Sequence, residues 1–228
     1  MRGPSSIKAV VLAVWAGFFV WLVASGEIYR YIGPRTYWVV VFGAVAAAAA
    51  TLLIAITGRR TGGGVDLIGA LAMLLPVVIV FAVPRPSLGA LAASHKLSGV
   101  PITAGTFQPA ALGPGEKVSF AEIEYASESS KYAATVGITD GYPVELTGFV
   151  THPAGLAAGN FALTRFSIYC CAADAVPHSV TIAPRDDKSY PDDRWLTIEG
   201  HLQDVDGDYV LVPESIRSIE EPEDPYIR

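Results

Sequence analysis

The sequence is poor in charged residues. Asp, Glu, Lys and Arg make up only 17% of its 228 residues, whereas soluble domains of ordinary composition carry about 25%. Hydrophobic residues account for 51% of the chain. This imbalance argues against an ordinary soluble protein and indicates segments that lie in a membrane.

Cysteine is nearly absent, and the two that occur are neighbours, Cys170 and Cys171. Adjacent Cα atoms lie about 3.8 Å apart, closer than the usual range of about 4.4–6.8 Å across a disulfide. The sequence therefore excludes a disulfide framework, and cysteine usage assigns no redox compartment.

Signatures of common catalytic sites are also missing. The chain has no GxSxG nucleophile elbow, no Walker phosphate loop, no HExxH zinc motif and no Rossmann glycine fingerprint. Each of these motifs places reactive or phosphate-binding groups at a spacing that its chemistry requires. We therefore expect that the protein is not an enzyme.

The charges that are present divide the chain in two. Residues 1–90 carry seven Lys/Arg and two acidic residues, a balance of +5, and residues 91–228 carry nine and twenty, a balance of −11. Parts this different predict two physical units. A domain of charge −11 repels phosphate groups, so we exclude nucleic acid as a partner.

Three long apolar runs occupy the N-terminal part. A helix needs roughly 17–25 apolar residues to cross about 30 Å of hydrocarbon. The runs that meet this rule are Ala9 to about Gly26, Tyr37 to about Thr57, and Leu67 to Val83. We predict a three-helix transmembrane region over residues 1–84 in a multi-pass protein of the cell membrane. No Asp, Glu, Lys, Arg or His lies within a run, which argues against an ion path through these helices alone.

Two features of the spans bear on their arrangement. Gly43, Ala47 and Ala50 recur at helical spacing in the second span, and such a face packs closely either within the chain or against a partner. Three spans put the N-terminus and the C-terminal domain on opposite sides. The segments on the two sides of the membrane carry equal numbers of Lys and Arg, so this count does not set the orientation. The N-terminal flank of the first span is more basic than its C-terminal flank. We therefore expect the N-terminus inside the cell and an extracytoplasmic C-terminal domain.

The remaining sequence predicts a linker and a β domain. Residues 85–115 are rich in Pro, Gly, Ala and Ser without apolar periodicity, which predicts a flexible linker. In residues 116–228, a short strand and a short helix precede runs of period-two alternation. Short strands separated by turn residues favour a small closed sheet, and we expect an OB-like β-barrel. The predicted strands are Val144–Val150, Phe161–Tyr169, Ser179–Ala183, Trp195–Ile198, Tyr209–Val212 and Ile216–Ile219.

The segment between two of these strands holds the most reactive side chains. Thiolate, imidazole and carboxylate groups bind zinc or copper, and four residues here offer them: Cys170, Cys171, Asp174 and His178. In a regular strand the two cysteine side chains would point to opposite faces, so sharing one ion requires a strand end, bulge or turn at Cys171. Structural thiols, a metal site holding zinc, and a redox pair remain as interpretations.

Charged residues in the same domain have structural interpretations. Arg165 and Asp174 are expected to pair, because a guanidinium offers a planar fork to a carboxylate. The cluster of Asp204, Asp206 and Asp208 lacks the Gly and Glu positions of a calcium-binding EF-hand. We expect a solvated hairpin turn there.

Several motifs carry a family resemblance. In order they are GFV (148–150), FxLxRFxI (161–168), CCxAD (170–174), WLxIxG (195–200) and ExPxDPYI (220–227). With three N-terminal spans, they resemble the YcgQ-like family of two-component permease subunits, bacterial membrane proteins, over essentially the whole chain. The positions that match the family's most specific motif are Arg165, Phe166, Cys171 and Asp174.

This resemblance implies an accessory, non-catalytic subunit of a permease that pairs with a larger polytopic permease subunit, and it names no substrate. Some relatives have a His-rich loop between the second and third spans, but residues 58–64 here read GRRTGGG. A zinc site must then depend on the segment from Cys170 to His178, and no other cofactor is expected. The alternative functions are a membrane-anchored metal- or ligand-binding sensor and a membrane-tethered redox protein.

Overall fold

A computed structural model describes residues 4–57, 67–82, 88–97, 117–185 and 188–227. The chain divides into two compact units. The first comprises residues 1–86 with 169–172, and the second comprises residues 87–168 with 173–228. Apolar helices form most of the first unit, and a β-sheet forms most of the second.

The first unit contains three apolar helices, which are α1 (Pro4–Ala24), α2 (Tyr37–Thr57) and α3 (Leu67–Ala82). Two helical stretches, Ile7–Ala24 and Pro34–Thr57, are long and apolar enough to cross a membrane. The apolar stretch of α3, Ile68–Ala82, is shorter than the usual span. The described residues thus contain two helices that could cross a membrane, and the third predicted span is a shorter apolar helix.

Helix α1 packs against both α2 and α3. The indole N–H of Trp15 in α1 donates to the carbonyl oxygen of Met73 in α3, 3.2 Å away. A Cβ atom added at Gly43 of α2 would lie 3.5 Å from the ring of Phe19 in α1, which is ordinary contact. Gly43, on the small-residue face of the second span, therefore packs within the chain.

The second unit is built on a closed five-strand barrel. Its strands pair in the order β1-β4-β5-β3-β2, and β2 pairs again with β1. The β3–β5 pair is parallel, and the other pairs of the barrel are antiparallel. A short sixth strand extends the sheet by pairing in parallel with β2. The bounds are β1 (Pro143–Thr151), β2 (Phe161–Ser167), β3 (Val176–Ile182), β4 (Trp195–Val205), β5 (Asp208–Ser218) and β6 (Tyr226–Ile227). This architecture is compatible with the predicted OB-like barrel.

Two short helices precede the barrel, α5 (Phe120–Glu128) and α6 (Ser130–Val136). A strand had been predicted before a single helix here, but residues 117–119 are not in a strand. The backbone N–H of Ser119 donates to the Glu122 carboxylate, 2.7 Å away, which satisfies a donor at the start of α5. Helix α5 then buries Phe120 and Ile123 in the main core with strand residues such as Leu163.

A further helix, α4 (Ala90–Leu97), lies within the predicted flexible linker. Its Ala93 is fully buried in a second core cluster with Phe149, Phe166, Trp195 and Tyr226. The Asp193 carboxylate accepts a hydrogen bond from the Ala90 N–H, 2.5 Å away, at the start of this helix. Residues 90–97 therefore belong to the folded domain. The rest of the predicted linker after them, residues 98–115, lies outside the residues that the structure describes.

The acidic run between β4 and β5 is a hairpin turn. Val205 pairs with Asp208, and the two residues between them, Asp206 and Gly207, have φ values of 56° and 98°. Positive φ at both central positions is typical of the two-residue hairpin turns whose twist matches the strands. The Gly207 N–H donates to the Asp204 carboxylate, 2.9 Å away. The predicted hairpin turn is confirmed.

Gly200 offers a test of the barrel's packing. It lies where the β4–β5 register shifts, and an added Cβ would lie 2.2 Å from the Val212 carbonyl oxygen. The obstacle is paired backbone, so it cannot move without breaking strand hydrogen bonds. We expect Gly200→Ala to lower the free energy of unfolding by about 1–3 kcal/mol, measured by denaturant unfolding of the full chain in detergent. Glu199→Ala, at an exposed neighbour, should cost less than about 1 kcal/mol, and equal losses would contradict this account.

Candidate functional site

The candidate site is the connection between β2 and β3. Strand β2 ends at Ser167, and its last pair with β3 is Ser167 with Val176. Between them the chain bends and then forms a single turn of 3-10 helix over Ala172–Asp174. Cys170 and Cys171 therefore lie beyond the strand end, which is the geometry that the sequence required for both thiols to face one ion.

Three of the four predicted metal ligands come together in this short segment. The donor atoms of Cys170, Cys171 and Asp174 all lie within 4.8 Å of one another, and neither cysteine forms a disulfide. Ligand atoms around tetrahedral zinc, with bonds of about 2.0–2.3 Å, lie roughly 3.3–3.8 Å apart. Small side-chain adjustments would bring the three donors to that spacing, and two thiolates with one carboxylate suit zinc.

Main-chain hydrogen bonds hold the cysteine segment in the first unit. The Gly33 N–H donates to the Cys170 carbonyl oxygen, 3.0 Å away, and the Ala172 N–H donates to the Tyr31 carbonyl oxygen, 2.9 Å away. The Thr36 hydroxyl also donates to the Cys170 carbonyl oxygen, at 2.5 Å. These bonds fix the backbone around the cysteines without using their sulfur atoms.

The fourth predicted ligand, His178, has other partners. It lies in β3 with only 4% of its surface exposed. Its Nδ1 atom lies 2.5 Å from a carboxylate oxygen of Glu124, and its Nε2 atom lies 3.0 Å from the Ser167 hydroxyl. Since both ring nitrogens are engaged, His178 does not belong to the donor cluster, and the predicted set of ligands is reduced to three.

Sequence reasoning missed the partners of His178. Glu124 lies 54 residues from His178 in the chain, so no local motif joins them. One signal was present, because Glu124 follows the buried Phe120 by four residues and so shares its face of α5. A carboxylate beside the buried face of a helix requires a polar partner, because its desolvation is costly.

The folded domain corresponds to a known family. Residues 114–228 match the family model described as the DUF1980 C-terminal domain. The chain belongs to the DUF1980 C-terminal domain family. No curated protein matches the chain. The matched range includes the barrel of the DUF1980 domain, the cysteine segment and all three residues of the His178 network.

Within the DUF1980 domain, Arg165 binds main-chain carbonyl groups and not Asp174. Its guanidinium donates to the carbonyl oxygens of Asp224, Thr147 and Pro225, at 2.8, 3.3 and 3.3 Å. Burial lowers the pKa of Arg165, and the nearby Asp224 opposes this by favouring the charged form. The predicted pairing with Asp174 is therefore corrected, and Arg165 ties β2 to β1 and to the segment before β6.

Phe166, the neighbouring signature residue, is also structural. Its side chain is fully buried, and its ring stacks on that of Phe149 with centroids 5.9 Å apart. Of the four signature residues, Arg165 and Phe166 hold the DUF1980 barrel together. Cys171 and Asp174 lie in the donor cluster.

We expect Arg165→Lys to destabilise the DUF1980 domain by about 2–4 kcal/mol. A lysine ammonium cannot reproduce the planar guanidinium's contacts with three separate carbonyl oxygens, and the buried acceptors would lose partners. Thermal and denaturant unfolding of the full chain measure the loss. Arg217→Lys is the matched control, because Arg217 is exposed and its ion pair with Glu199 is a surface contact. A loss of stability in Arg217→Lys as large as that in Arg165→Lys would contradict this structural role of Arg165.

Proposed function

We propose that this DUF1980 protein is an accessory subunit of a membrane permease complex. The observation that carries the proposal is the apolar surface of α2, which has no buried residue along its length. Large side chains on this helix are strongly exposed, Phe42 at 66% and Val45 at 63% among them. A helix docked on a larger membrane protein needs such a surface, and the resemblance to YcgQ-like permease subunits supports the same partner.

The proposed topology has three crossings, with α3 as the third. The 16 residues of α3 rise about 24 Å, and a bilayer thins locally around a span that is somewhat short. An odd number of crossings then separates the N-terminus from the DUF1980 domain. The basic N-terminal flank supports an extracytoplasmic DUF1980 domain, next to the outer mouth of the permease.

Co-purification tests the partner. The tagged chain is expressed at its native level, solubilised gently and analysed by mass spectrometry for stoichiometric polytopic proteins. We expect a permease to be recovered, and we expect Val45→Trp to remove it, because a larger side chain disrupts a packed helix interface but is tolerated against lipid.

Val78→Trp, at a 59% exposed position of α3, is the matched control and should keep the partner. Recovery of the chain alone, from membranes in which the permease is present, would overturn the proposal. Loss of the partner in both variants would overturn the assignment of the docking face to α2.

A second candidate function is metal binding, favoured by the donor cluster. Cys170, Cys171 and Asp174 would supply three ligands and leave one position of a tetrahedral zinc ion for water or for another group. An open position suits a protein that senses or hands over an ion more than one that uses zinc to hold its fold. This function is compatible with a permease subunit, because the segment could bind an ion outside the membrane.

Zinc content after dialysis tests this second function. We expect about one zinc ion per chain, lost in Cys171→Ser because serine provides no thiolate. Binding should weaken on acidification, since protons compete for the ligand atoms. His178→Gln is the control and should retain the ion, because His178 lies outside the cluster. A wild-type chain without zinc, or a Cys171→Ser variant with full occupancy, would exclude this function.

A further inference from the structure

Glu124, His178 and Ser167 form a hydrogen-bonded relay within the second unit. Glu124 lies in α5, His178 in β3 and Ser167 at the end of β2. The contact distances are 2.5 Å from the carboxylate to Nδ1 and 3.0 Å from Nε2 to the hydroxyl. The three groups therefore occupy a continuous chain from a carboxylate through an imidazole to a serine hydroxyl.

The contact with the Glu124 carboxylate selects one tautomer of a neutral His178. An ionised carboxylate only accepts hydrogen bonds, so Nδ1 of His178 carries the proton that is shared with Glu124. In the neutral imidazole, Nε2 is then the acceptor, and the Ser167 hydroxyl donates to it. This is the arrangement in which a histidine acts as a general base on a serine nucleophile and a third group orients the histidine.

The relay is buried at its centre and partly exposed at both ends. His178 is 4% exposed, which shields the base from water. The Glu124 side chain is 27% exposed. Ser167 is only partly buried, and it is paired with Val176 and Ile227 in the adjoining strands. Both ends of the relay, Glu124 and Ser167, are thus partly exposed, and the residues paired with Ser167 are apolar.

A second polar network in the same barrel is built without ionisable groups. Thr164 is hydrogen-bonded to both Thr151 and Ser179, at 2.8 and 2.9 Å. These contacts join neighbouring strands with neutral hydroxyl groups alone. A buried imidazole and a carboxylate carry a larger desolvation cost than hydroxyls do, so the Glu124–His178–Ser167 network differs in chemistry from the neutral one.

We propose that Ser167 is a nucleophile that accepts an acyl group from a small carboxylic ester, with His178 as base and Glu124 as the group that orients His178. The Ser167 oxygen bonds to the ester carbonyl carbon, and its proton moves to Nε2 of His178. The alcohol leaves as its carbon–oxygen bond breaks, and it takes that proton. Water then attacks the acyl-serine, passes a proton through Nε2 back to Ser167, and releases the carboxylic acid.

The apolar neighbours of Ser167 favour a short apolar acyl group. Val176 is 38% exposed, and neither Val176 nor Ile227 offers a charge to recognise a charged substrate. This inference departs from the expectation, drawn from missing sequence motifs, that the protein is not an enzyme. It does not depend on metal binding or on a permease partner.

A fluorophosphonate probe tests the nucleophile directly. The Ser167 oxygen would bond to phosphorus as fluoride leaves, and peptide mass spectrometry of the full chain in detergent would locate the adduct. We expect labelling at Ser167, none in Ser167→Ala, and about 100-fold slower labelling in Glu124→Gln and His178→Gln. Hydrolysis of p-nitrophenyl acetate should fall in parallel in all three variants.

Ser179→Ala is the matched control, because Ser179 is a half-buried serine of the neighbouring strand with a neutral partner. It should label and hydrolyse as the wild type does. Circular dichroism and thermal unfolding establish that each variant is folded, and Glu124→Gln keeps the shape of the carboxylate should His178→Gln fail to fold. A folded wild-type chain that is not labelled, or equal labelling in Ser167→Ala, would overturn the proposal.

Discussion

Closure of the barrel depends on how β1 pairs with two strands at once. Its first part pairs with β4, its last residues pair with β2, and Phe149 belongs to both ladders. Next to this residue, a Cβ at Gly148 would lie 2.6 Å from the Thr164 carbonyl oxygen, so only glycine allows the strands this close. The contact of Arg165 with the Thr147 carbonyl oxygen lies beside the same crossing. This crossing pairs β1 with residues 162–164 of β2, and the end of β2 at Ser167 then pairs with β3 and β6.

Much of the barrel could be predicted because alternation of apolar residues reports burial directly. Two elements could not. The sequence predicts two strands in place of β5, because Pro213 and Glu214 interrupt the alternation. In the structure Glu214 is the extra residue of a β-bulge and pairs with no residue of β4 in the strand register. Its neighbours Pro213 and Ser215 pair with Gly200 and Glu199. Helix α4 was missed because the Gly and Pro residues around it dominate the local composition.

The candidate sites differ in how much of each could be predicted from the sequence. Cys170, Cys171 and Asp174 are close in the chain, so their meeting required only that β2 end before them. His178 is also close in the chain, but the pairing of β3 with β2 places it beside Ser167, and the packing of α5 places it beside Glu124. The relay with Glu124 depends on a contact across 54 residues, and the sequence signal at Glu124 indicates a polar partner without identifying His178. Proximity in sequence therefore grouped three side chains whose donor atoms lie together in the structure, and a fourth, His178, whose partners are elsewhere.

The division of chemistry between the two parts of the chain follows from the cost of charge in a membrane. A charged group at the centre of a bilayer costs about 2.5–3.5 kcal/mol on insertion scales, and the three apolar helices contain no Asp, Glu, Lys, Arg or His apart from Lys8 near the start of α1. The thiols, the imidazole and the carboxylates with candidate roles lie in the DUF1980 domain. The helices can anchor this domain and offer apolar surface, but a polar path across the membrane would have to be supplied by another protein. In the proposed complex a permease partner would meet that requirement, and the DUF1980 domain would contribute the candidate thiols, imidazole and carboxylates.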